Sequence, residues 1–146
     1  MRNFIILVTF ILFVGCGAND LTFHKISGKN INDLSGKWTV INYWADWCPP
    51  CIKEIPELHE LDNNNSNIRV FLFNFDRLEG EELEQQLLKF NIELPALLTD
   101  PKNYFPIVTP DALPVSYLIN PNLKLSKVLN GPQTELSILE AIQLIE

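Results

Sequence analysis

Cys48 and Cys51 stand three residues apart, and no other residues of the chain are better placed for chemistry. Two thiols at this spacing can open and close a disulfide, which is the basis of thiol–disulfide exchange. The pair lies where an apolar strand, predicted over residues 38–43, meets a helix predicted over residues 49–61. With Cys48 as the N-cap of that helix, both sulfur atoms lie on one helix face, close enough to form a disulfide without large backbone movement.

The two cysteines are expected to take different roles. Cys48 should be the exposed nucleophile, because the positive end of a helix stabilises a thiolate. Cys51, one turn further along, should resolve the mixed disulfide formed with a substrate. Pro49 and Pro50 suit the first turn of a helix but offer no N–H donors to the thiolate. The pair should therefore lie toward the reducing side of the range for such proteins.

Other uses of the cysteine pair are weaker. A structural zinc ion needs about four ligands, and besides the pair the chain offers only Cys16, His24 and His59. Covalent haem attachment needs a histidine directly after the second cysteine, where this chain has Ile52. A purely structural disulfide stays open, although closing so short a loop constrains the unfolded chain little. No metal and no organic cofactor is expected.

The segment around the cysteines resembles the active-site segment of the thioredoxin superfamily. It covers residues 40–56 and reads VINYWADWCPPCIKEIP. Within the superfamily it is most similar to the TlpA-like branch of bacterial thiol:disulfide oxidoreductases, the TlpA, ResA and DsbE type. The likeness runs from about Phe23 to the C-terminus. It implies an α/β thioredoxin fold, with a mixed central β-sheet flanked by helices and an N-terminal β-hairpin addition over residues 21–36.

A second stretch, residues 113–120, reads LPVSYLIN, a proline that opens an apolar strand. It resembles the Leu-Pro-Thr-Thr-Phe-Leu-Ile-Asp segment of TlpA-like proteins, whose proline is cis and faces the cysteine pair. We therefore predict a cis Leu113–Pro114 bond, although only about one X-Pro bond in twenty is cis in general. The resemblance implies a substrate-binding surface made by Trp47, Pro49, Leu113 and Pro114. Trp44 could belong either to this rim or to the core.

Resolution requires Cys51 to lose its proton, and a buried thiol with an ordinary pKa of about 8.5 does so rarely unaided. Asn42 lies where thioredoxins carry a buried Asp that assists proton transfer. An amide cannot titrate, so we interpret Asn42 as a hydrogen-bonded core residue. Glu54, one turn after Cys51, is the candidate base, and TlpA-like proteins commonly carry Glu at this offset. In that role it should be partly buried with a raised pKa; the alternative is a solvated residue on the outer helix face.

Hydrophobic periodicity predicts the elements that position these residues. Strands are predicted over residues 38–44, 68–75 and 96–98, with a hairpin over 115–129. Helices are predicted over residues 49–61, 80–91 and 135–145, the last capped by Thr134, and residues 63–67 are predicted to form a polar loop. The residues predicted to face inward are Ile52, Ile55, Leu58 and Leu61, then Leu83, Leu87, Leu88 and Phe90, then Leu136, Leu139, Ile142 and Ile145.

The composition limits the classes of partner. A chain of 146 residues is the size of one domain, and its net charge of −7 carries no basic surface for nucleic acid or anionic lipid. Membrane contact would have to come from the N-terminus. There Arg2 precedes an apolar run over residues 4–14, which is too short to span a bilayer but suits a signal peptide.

Residues 13–16, Phe-Val-Gly-Cys, resemble a bacterial lipoprotein cleavage box, with Phe13 where the box usually has Leu. We therefore predict a lipoprotein-type signal peptide over residues 1–15, a lipid on Cys16, and a thioredoxin-like domain over residues 16–146. The domain would lie on the periplasmic face of a membrane. Ordinary cleavage after Ala18 remains an alternative.

The resemblance implies a thiol:disulfide oxidoreductase, acting as a disulfide reductase on exported proteins through Cys48 and Cys51. Its implied partners are protein dithiols and disulfides and a membrane redox protein that supplies electrons, and a monomer is expected. Such an enzyme would serve cell redox homeostasis or cytochrome c maturation. Two alternatives stay open: a module that binds a client such as apocytochrome without turnover, and a thiol peroxidase, which would carry a different pattern around a single peroxidatic cysteine.

Overall fold

The computed structural model describes residues 20–145. The predicted signal peptide, Cys16 and Ala18 lie outside the described residues. Within this range, no helix is both long enough and apolar enough to cross a membrane.

A small hairpin precedes the main sheet. Its strands, β1 (Asp20–Leu21) and β2 (Lys29–Asn30), pair in an antiparallel manner and lead into a 3-10 helix over Ile31–Leu34. Leu21 and Leu34 are buried against one face of the main sheet. The predicted N-terminal addition is therefore confirmed as a covering for that face.

The central sheet has five strands, which are β3 (Trp38–Trp44), β4 (Ile68–Asn74), β5 (Ala96–Leu97), β6 (Val115–Ile119) and β7 (Leu125–Asn130). Their order is β5-β4-β3-β6-β7. β3 runs parallel to β4 and antiparallel to β6, which confirms the predicted mixed sheet. Every residue of β3 is buried, as its run of β-branched and aromatic side chains requires of a strand covered on both faces.

The two faces of β3 belong to different halves of the core. Val40 and Trp44 pack beneath the helices, whereas Ile41 and Tyr43 pack against the side covered by the N-terminal hairpin. Alternate side chains of a strand point to opposite faces, so Asn42 shares the helix-covered face.

In the described part of the chain, three α-helices lie around the sheet: α1 (Pro49–Asn64), α2 (Gly80–Lys89) and α3 (Glu135–Gln143). α1 continues into the segment predicted as a polar loop, so the prediction for residues 63 and 64 is wrong. The reason is that the asparagine side chains find partners there: the Asn64 amide donates to Glu60 at 3.2 Å and the Asn65 amide donates to the Leu61 carbonyl at 2.9 Å. The other helix boundaries differ from the predicted ones by two residues at their C-terminal ends.

The predicted inward stripe holds for α1 and fails in part for the other helices. Ile55, Leu58 and Leu61 are buried, and Ile52 is half-buried. Leu88 of α2 is 74% exposed, so its predicted inward position is wrong.

In α3 the buried residues are Ile138, Ala141 and Ile142, whereas Leu136 and Ile145 are exposed. The predicted inward positions of Leu136 and Ile145 are therefore wrong. α3 is apolar on more than one side, so periodicity alone cannot choose its inward face. The packing of α3 against α1 determines which face of α3 is buried.

Candidate active site

The cysteine pair lies at the junction between β3 and α1. Cys48 is the N-cap of α1, with Pro49 and Pro50 in the first turn, as predicted. Cys48 and Cys51 form a disulfide with their Cα atoms 5.3 Å apart, within the usual range for such bonds. The Cys48 sulfur also accepts the Cys51 backbone N–H at 3.3 Å, which is the N-cap interaction.

Cys48 is less exposed than its predicted role suggests. It is 4% exposed and Cys51 is 0% exposed, so Cys48 is the outer sulfur of a buried pair. The cause is the N-cap geometry, which turns the Cys48 side chain back over the first turn of α1 toward Cys51. Pro49 and Pro50, which follow it, are exposed.

The Leu113–Pro114 peptide bond is cis, which confirms that prediction. The next residue, Val115, pairs with Tyr43 near the end of β3. Because β3 continues from that point toward Cys48, the cis proline and the cysteine pair lie at the same end of the inner strands. The Pro114 carbonyl is held by the Gly131 N–H at 2.9 Å.

A groove of about 420 Å³ runs beside Pro114. It is lined by residues 108–115 together with Tyr117, Asn130 and Gly131. The Tyr117 hydroxyl donates to the Val108 carbonyl and ties the outer wall of the groove to β6. Val108 itself is 77% exposed, so this wall presents apolar surface to solvent.

The two tryptophans near the cysteines have different surroundings. Trp47 is 57% exposed, packs edge-on against Phe75, and donates its indole N–H to Asp76 at 2.7 Å. Trp44 is fully buried and packs edge-on against Phe90. Of the two interpretations of Trp44, the core position is the one observed, and Trp47 alone belongs to the exposed rim.

Glu54 is buried, with 2% of its surface exposed. Its Oε1 accepts from the Asn42 amide at 2.7 Å and its Oε2 accepts from the Gln133 backbone N–H at 2.8 Å. Burial raises the pKa of Glu54 to about 7, and the hydrogen bonds from Gln133 and Asn42 oppose part of that rise. The outer-face alternative for Glu54 is excluded, because the side chain is buried.

Asn42 is the hydrogen-bonded core residue that its position predicted. It is fully buried, and its amide donates to Ser116 at 2.9 Å as well as to Glu54. Sequence reasoning missed the contact with Glu54 and missed Ser116 altogether. Ser116 could have been noticed as the one polar residue in the apolar strand VSYLI, which the register places opposite Asn42. Gln133 contributes only its backbone N–H, for which the sequence carries no signal.

The disulfide and a buried carboxyl group thus lie one helical turn apart. The N-terminus of α1 holds the buried disulfide at the end of β3, and Glu54 follows on the same helix. Such an arrangement can exchange thiols for disulfides and move a proton to or from the inner sulfur.

Comparisons with known proteins agree with this chemistry. The sequence profile of the AhpC/TSA family matches residues 14–128. The thiol-disulfide oxidoreductase ResA of Bacillus subtilis is 28% identical over 135 residues, which are 90% of this chain and 75% of that protein. ResA of Geobacillus thermodenitrificans is 24% identical over 139 residues, covering 91% of this chain and 78% of its own.

Solved structures show the same fold. StoA from Bacillus subtilis superposes with a TM-score of 0.63 at 22% identity, over 84% of this chain and 96% of its own. A putative thiol:disulfide interchange protein DsbE from Chlorobium tepidum gives a TM-score of 0.65 at 22% identity, over 87% of this chain and 92% of its own. The thioredoxin fold predicted from the cysteine segment is confirmed.

Proposed function

The chain belongs to the AhpC/TSA family and is a thiol:disulfide oxidoreductase, and we propose that it reduces disulfides of exported proteins through Cys48 and Cys51. The observation that supports this most directly is the disulfide at the N-terminus of α1 with a buried carboxyl group one turn further on. The exchange of disulfides needs only sulfur atoms and protons, so no metal or organic cofactor takes part in it.

The first step uses Cys48. Its thiolate attacks one sulfur of a client disulfide, so that a Cys48–client bond forms, the client disulfide breaks and one client thiolate leaves. The N-terminus of α1 favours the thiolate through the helix dipole and the Cys51 backbone N–H, which already faces the Cys48 sulfur.

The second step uses Cys51 and Glu54. The ionised Glu54 carboxylate takes the proton of the Cys51 thiol, and the resulting thiolate attacks the Cys48 sulfur. The Cys48–Cys51 bond forms, the second client thiolate leaves, and two electrons have passed to the client. The protein is then in the oxidised form described above, and a membrane redox protein with a reduced dithiol must return the electrons.

The client would be held by the exposed rim near the sulfur atoms. Trp47 and Pro49, which are exposed, form one side of this surface, and the half-buried Leu113 and the buried Pro114 form the other, beside the open groove. We propose that an extended segment of the client lies between them, with its cysteine against Cys48.

The N-terminal sequence supports the proposed location. The apolar run over residues 4–14 and the cleavage box that ends in Cys16 support export and a lipid on Cys16. The domain would then work as a membrane-anchored monomer on the periplasmic face, in redox homeostasis or cytochrome c maturation.

Two other functions differ in what they would do with a disulfide. A module that only holds apocytochrome or another client would use the groove beside Pro114 without turnover. A thiol peroxidase would consume peroxide at Cys48. The buried carboxyl group one turn along α1 from Cys51 favours repeated exchange over a binding module, because such a module has no need to remove a proton from Cys51. The Cys48-Pro49-Pro50-Cys51 pair favours exchange over a peroxidase, which would carry a different pattern around a single peroxidatic cysteine.

Replacing each cysteine separately should reveal its role. Cys51→Ser should leave Cys48 able to attack but unable to be released, so mixed disulfides with client proteins should accumulate. Cys48→Ser should trap almost none. Non-reducing gels of the two variants measure this, and equal trapping by both would overturn the assigned roles.

The reduction potential should lie nearer the thioredoxin value of about −270 mV than the DsbA value of about −120 mV. The reason is that Pro49 and Pro50 supply no N–H donors to the Cys48 thiolate, so the reduced form is stabilised only moderately. Equilibration of the soluble domain with glutathione or dithiothreitol buffers measures the potential. A result near the DsbA value would refute the reducing direction.

Glu54→Gln should slow resolution of the mixed disulfide at neutral pH by about a hundredfold or more. In the unchanged protein, resolution should fall as the pH drops through about 7, because Glu54 becomes protonated and can no longer accept the Cys51 proton. In the variant, resolution should recover as the pH rises toward the ordinary thiol pKa of about 8.5. Stopped-flow mixing of a preformed mixed disulfide measures both profiles.

Glu57→Gln is the matched control for that experiment. Glu57 lies one turn further along α1 and accepts the backbone N–H of Glu135 at 3.0 Å, so it resembles Glu54 in its contact but is further from Cys51. Its replacement should leave resolution unchanged. Equal kinetics for Glu54→Gln and the unchanged protein at every pH would remove Glu54 from the mechanism.

Cys16→Ala should release the protein from membranes without changing its chemistry. Fractionation of cells should move the variant to the soluble fraction, and the purified variant should keep full disulfide-reductase activity. Loss of activity in the purified variant would show that Cys16 has a redox role.

A further inference from the structure

Three polar side chains form a buried cluster beneath α1. Asn42 of β3, Ser116 of β6 and Glu54 of α1 are each at most 2% exposed. They lie in the half of the core that is otherwise apolar, where Val40 and Leu118 are their neighbours along the two strands. A buried polar group is costly unless it is hydrogen-bonded, so the orientation of each member matters.

The Asn42 amide is oriented for an ionised Glu54. Its Nδ2 group donates to Glu54 Oε1 at 2.7 Å and to Ser116 Oγ at 2.9 Å, which uses both of its protons. An ionised carboxylate can only accept hydrogen bonds, so this arrangement suits it. The Asn42 Oδ1 atom is buried and has no hydrogen-bond partner among the described residues.

A protonated Glu54 needs a different neighbour. Its Oε2 faces the Gln133 backbone N–H, which can only donate, so the acid proton belongs on the Oε1 side. On that side the Asn42 Nδ2 group is also a donor, so its N–H and the acid O–H of Glu54 would point at each other. Rotation of the amide by half a turn exchanges Nδ2 and Oδ1 and gives the proton an acceptor. The Ser116 hydroxyl can donate or accept, so it can follow the rotation.

We propose that Asn42 is a positioning residue that holds the Glu54 carboxyl group for proton exchange with Cys51 and serves it in both protonation states. This rests on the proposed role of Glu54 as the base. An Asp at this place would compete with Glu54 for the same proton, and an apolar residue would leave Glu54 without a partner on β3. A neutral amide avoids both.

The other groups that face Glu54 do not take the positioning role proposed for Asn42. On the same face of α1 the ionisable groups are Cys51 and Glu57, and Glu57 is engaged with the Glu135 N–H. β3 and β6 contribute Asn42 and Ser116, and the loop before α3 contributes the Gln133 N–H. No ion pair involves Glu54 in the part of the chain that the structure describes.

The test is to replace Asn42 and follow the titration of Glu54. Asn42→Leu removes the donor, and Asn42→Asp places a second carboxylate against Glu54. Each should raise the pH midpoint of the Glu54 titration by roughly one to two units, since a hydrogen bond to a charged group is lost or a like charge is added. Ser116→Ala should shift it less, because Asn42 keeps its contact with Glu54.

NMR of protein with 13C-labelled glutamate measures this midpoint directly, with Glu54→Gln assigning the signal. The pH profile of mixed-disulfide resolution should shift by the same amount. Thr39→Val is the matched control, because Thr39 is a fully buried polar residue of β3 on the opposite face of the sheet. It should move neither midpoint.

The unchanged protein supplies a test that does not depend on any variant folding. The side-chain amide resonances of Asn42 should change with the same pH midpoint as Glu54. A Glu54 titration that stays unshifted in both folded Asn42 variants, or Asn42 amide resonances that ignore it, would overturn the proposal. Failure of the base role itself is seen separately, as unchanged resolution in Glu54→Gln.

Discussion

The rest of the site depends on the burial of the Glu54 carboxyl group. Its two oxygen atoms connect α1 to two other parts of the fold. Oε1 accepts from Asn42 on the central strand, and Oε2 accepts from Gln133 in the loop before α3. Removing a carboxylate from water is costly, so a site that keeps one must supply donors. Here burial raises the pKa of the carboxyl group to about 7, and the donors limit that rise.

The same contacts link the carboxyl group to the groove beside Pro114. Gln133 donates its side-chain amide to the Gly131 carbonyl at 2.9 Å, and the Gly131 N–H donates to the Pro114 carbonyl at 2.9 Å. A short chain of hydrogen bonds therefore runs from Glu54 to the cis proline. The proposed base and the proposed client surface are held by one set of contacts, although they lie far apart in the sequence.

The junction of β3 and α1 explains why the sulfur chemistry occurs where it does. A strand buried on both faces must end before the chain can return to the surface, and the helix that follows presents its N-terminus at that edge. The Cys48 sulfur caps the helix, so the group that caps the backbone is also the group proposed to react. Side-chain capping thus fixes the position of the proposed nucleophile.

The sequence alone determined the features that depend on local spacing. Two cysteines one helical turn apart, two prolines suited to a first turn and a long apolar strand before them predicted the cysteine pair at a strand–helix junction. The thioredoxin fold around it was predicted from the resemblance of residues 40–56 to that superfamily. The LPVSYLIN segment was enough to predict the cis proline through its resemblance. The sequence also predicted that Glu54 lies one turn after Cys51, because neighbours on a helix follow from the number of residues per turn.

Only the tertiary structure decided what faces what across the sheet. Glu54 could have been a solvated residue until α1 docked and buried it, and the inward side of α3 was chosen by packing against α1 instead of by its own pattern. The contacts of Glu54 with Asn42 and Gln133 join residues 12 and 79 positions away. Such contacts depend on strand register and on the path of the loops. The contact with Gln133 uses a backbone N–H, which every residue except proline carries, so no residue type could predict it.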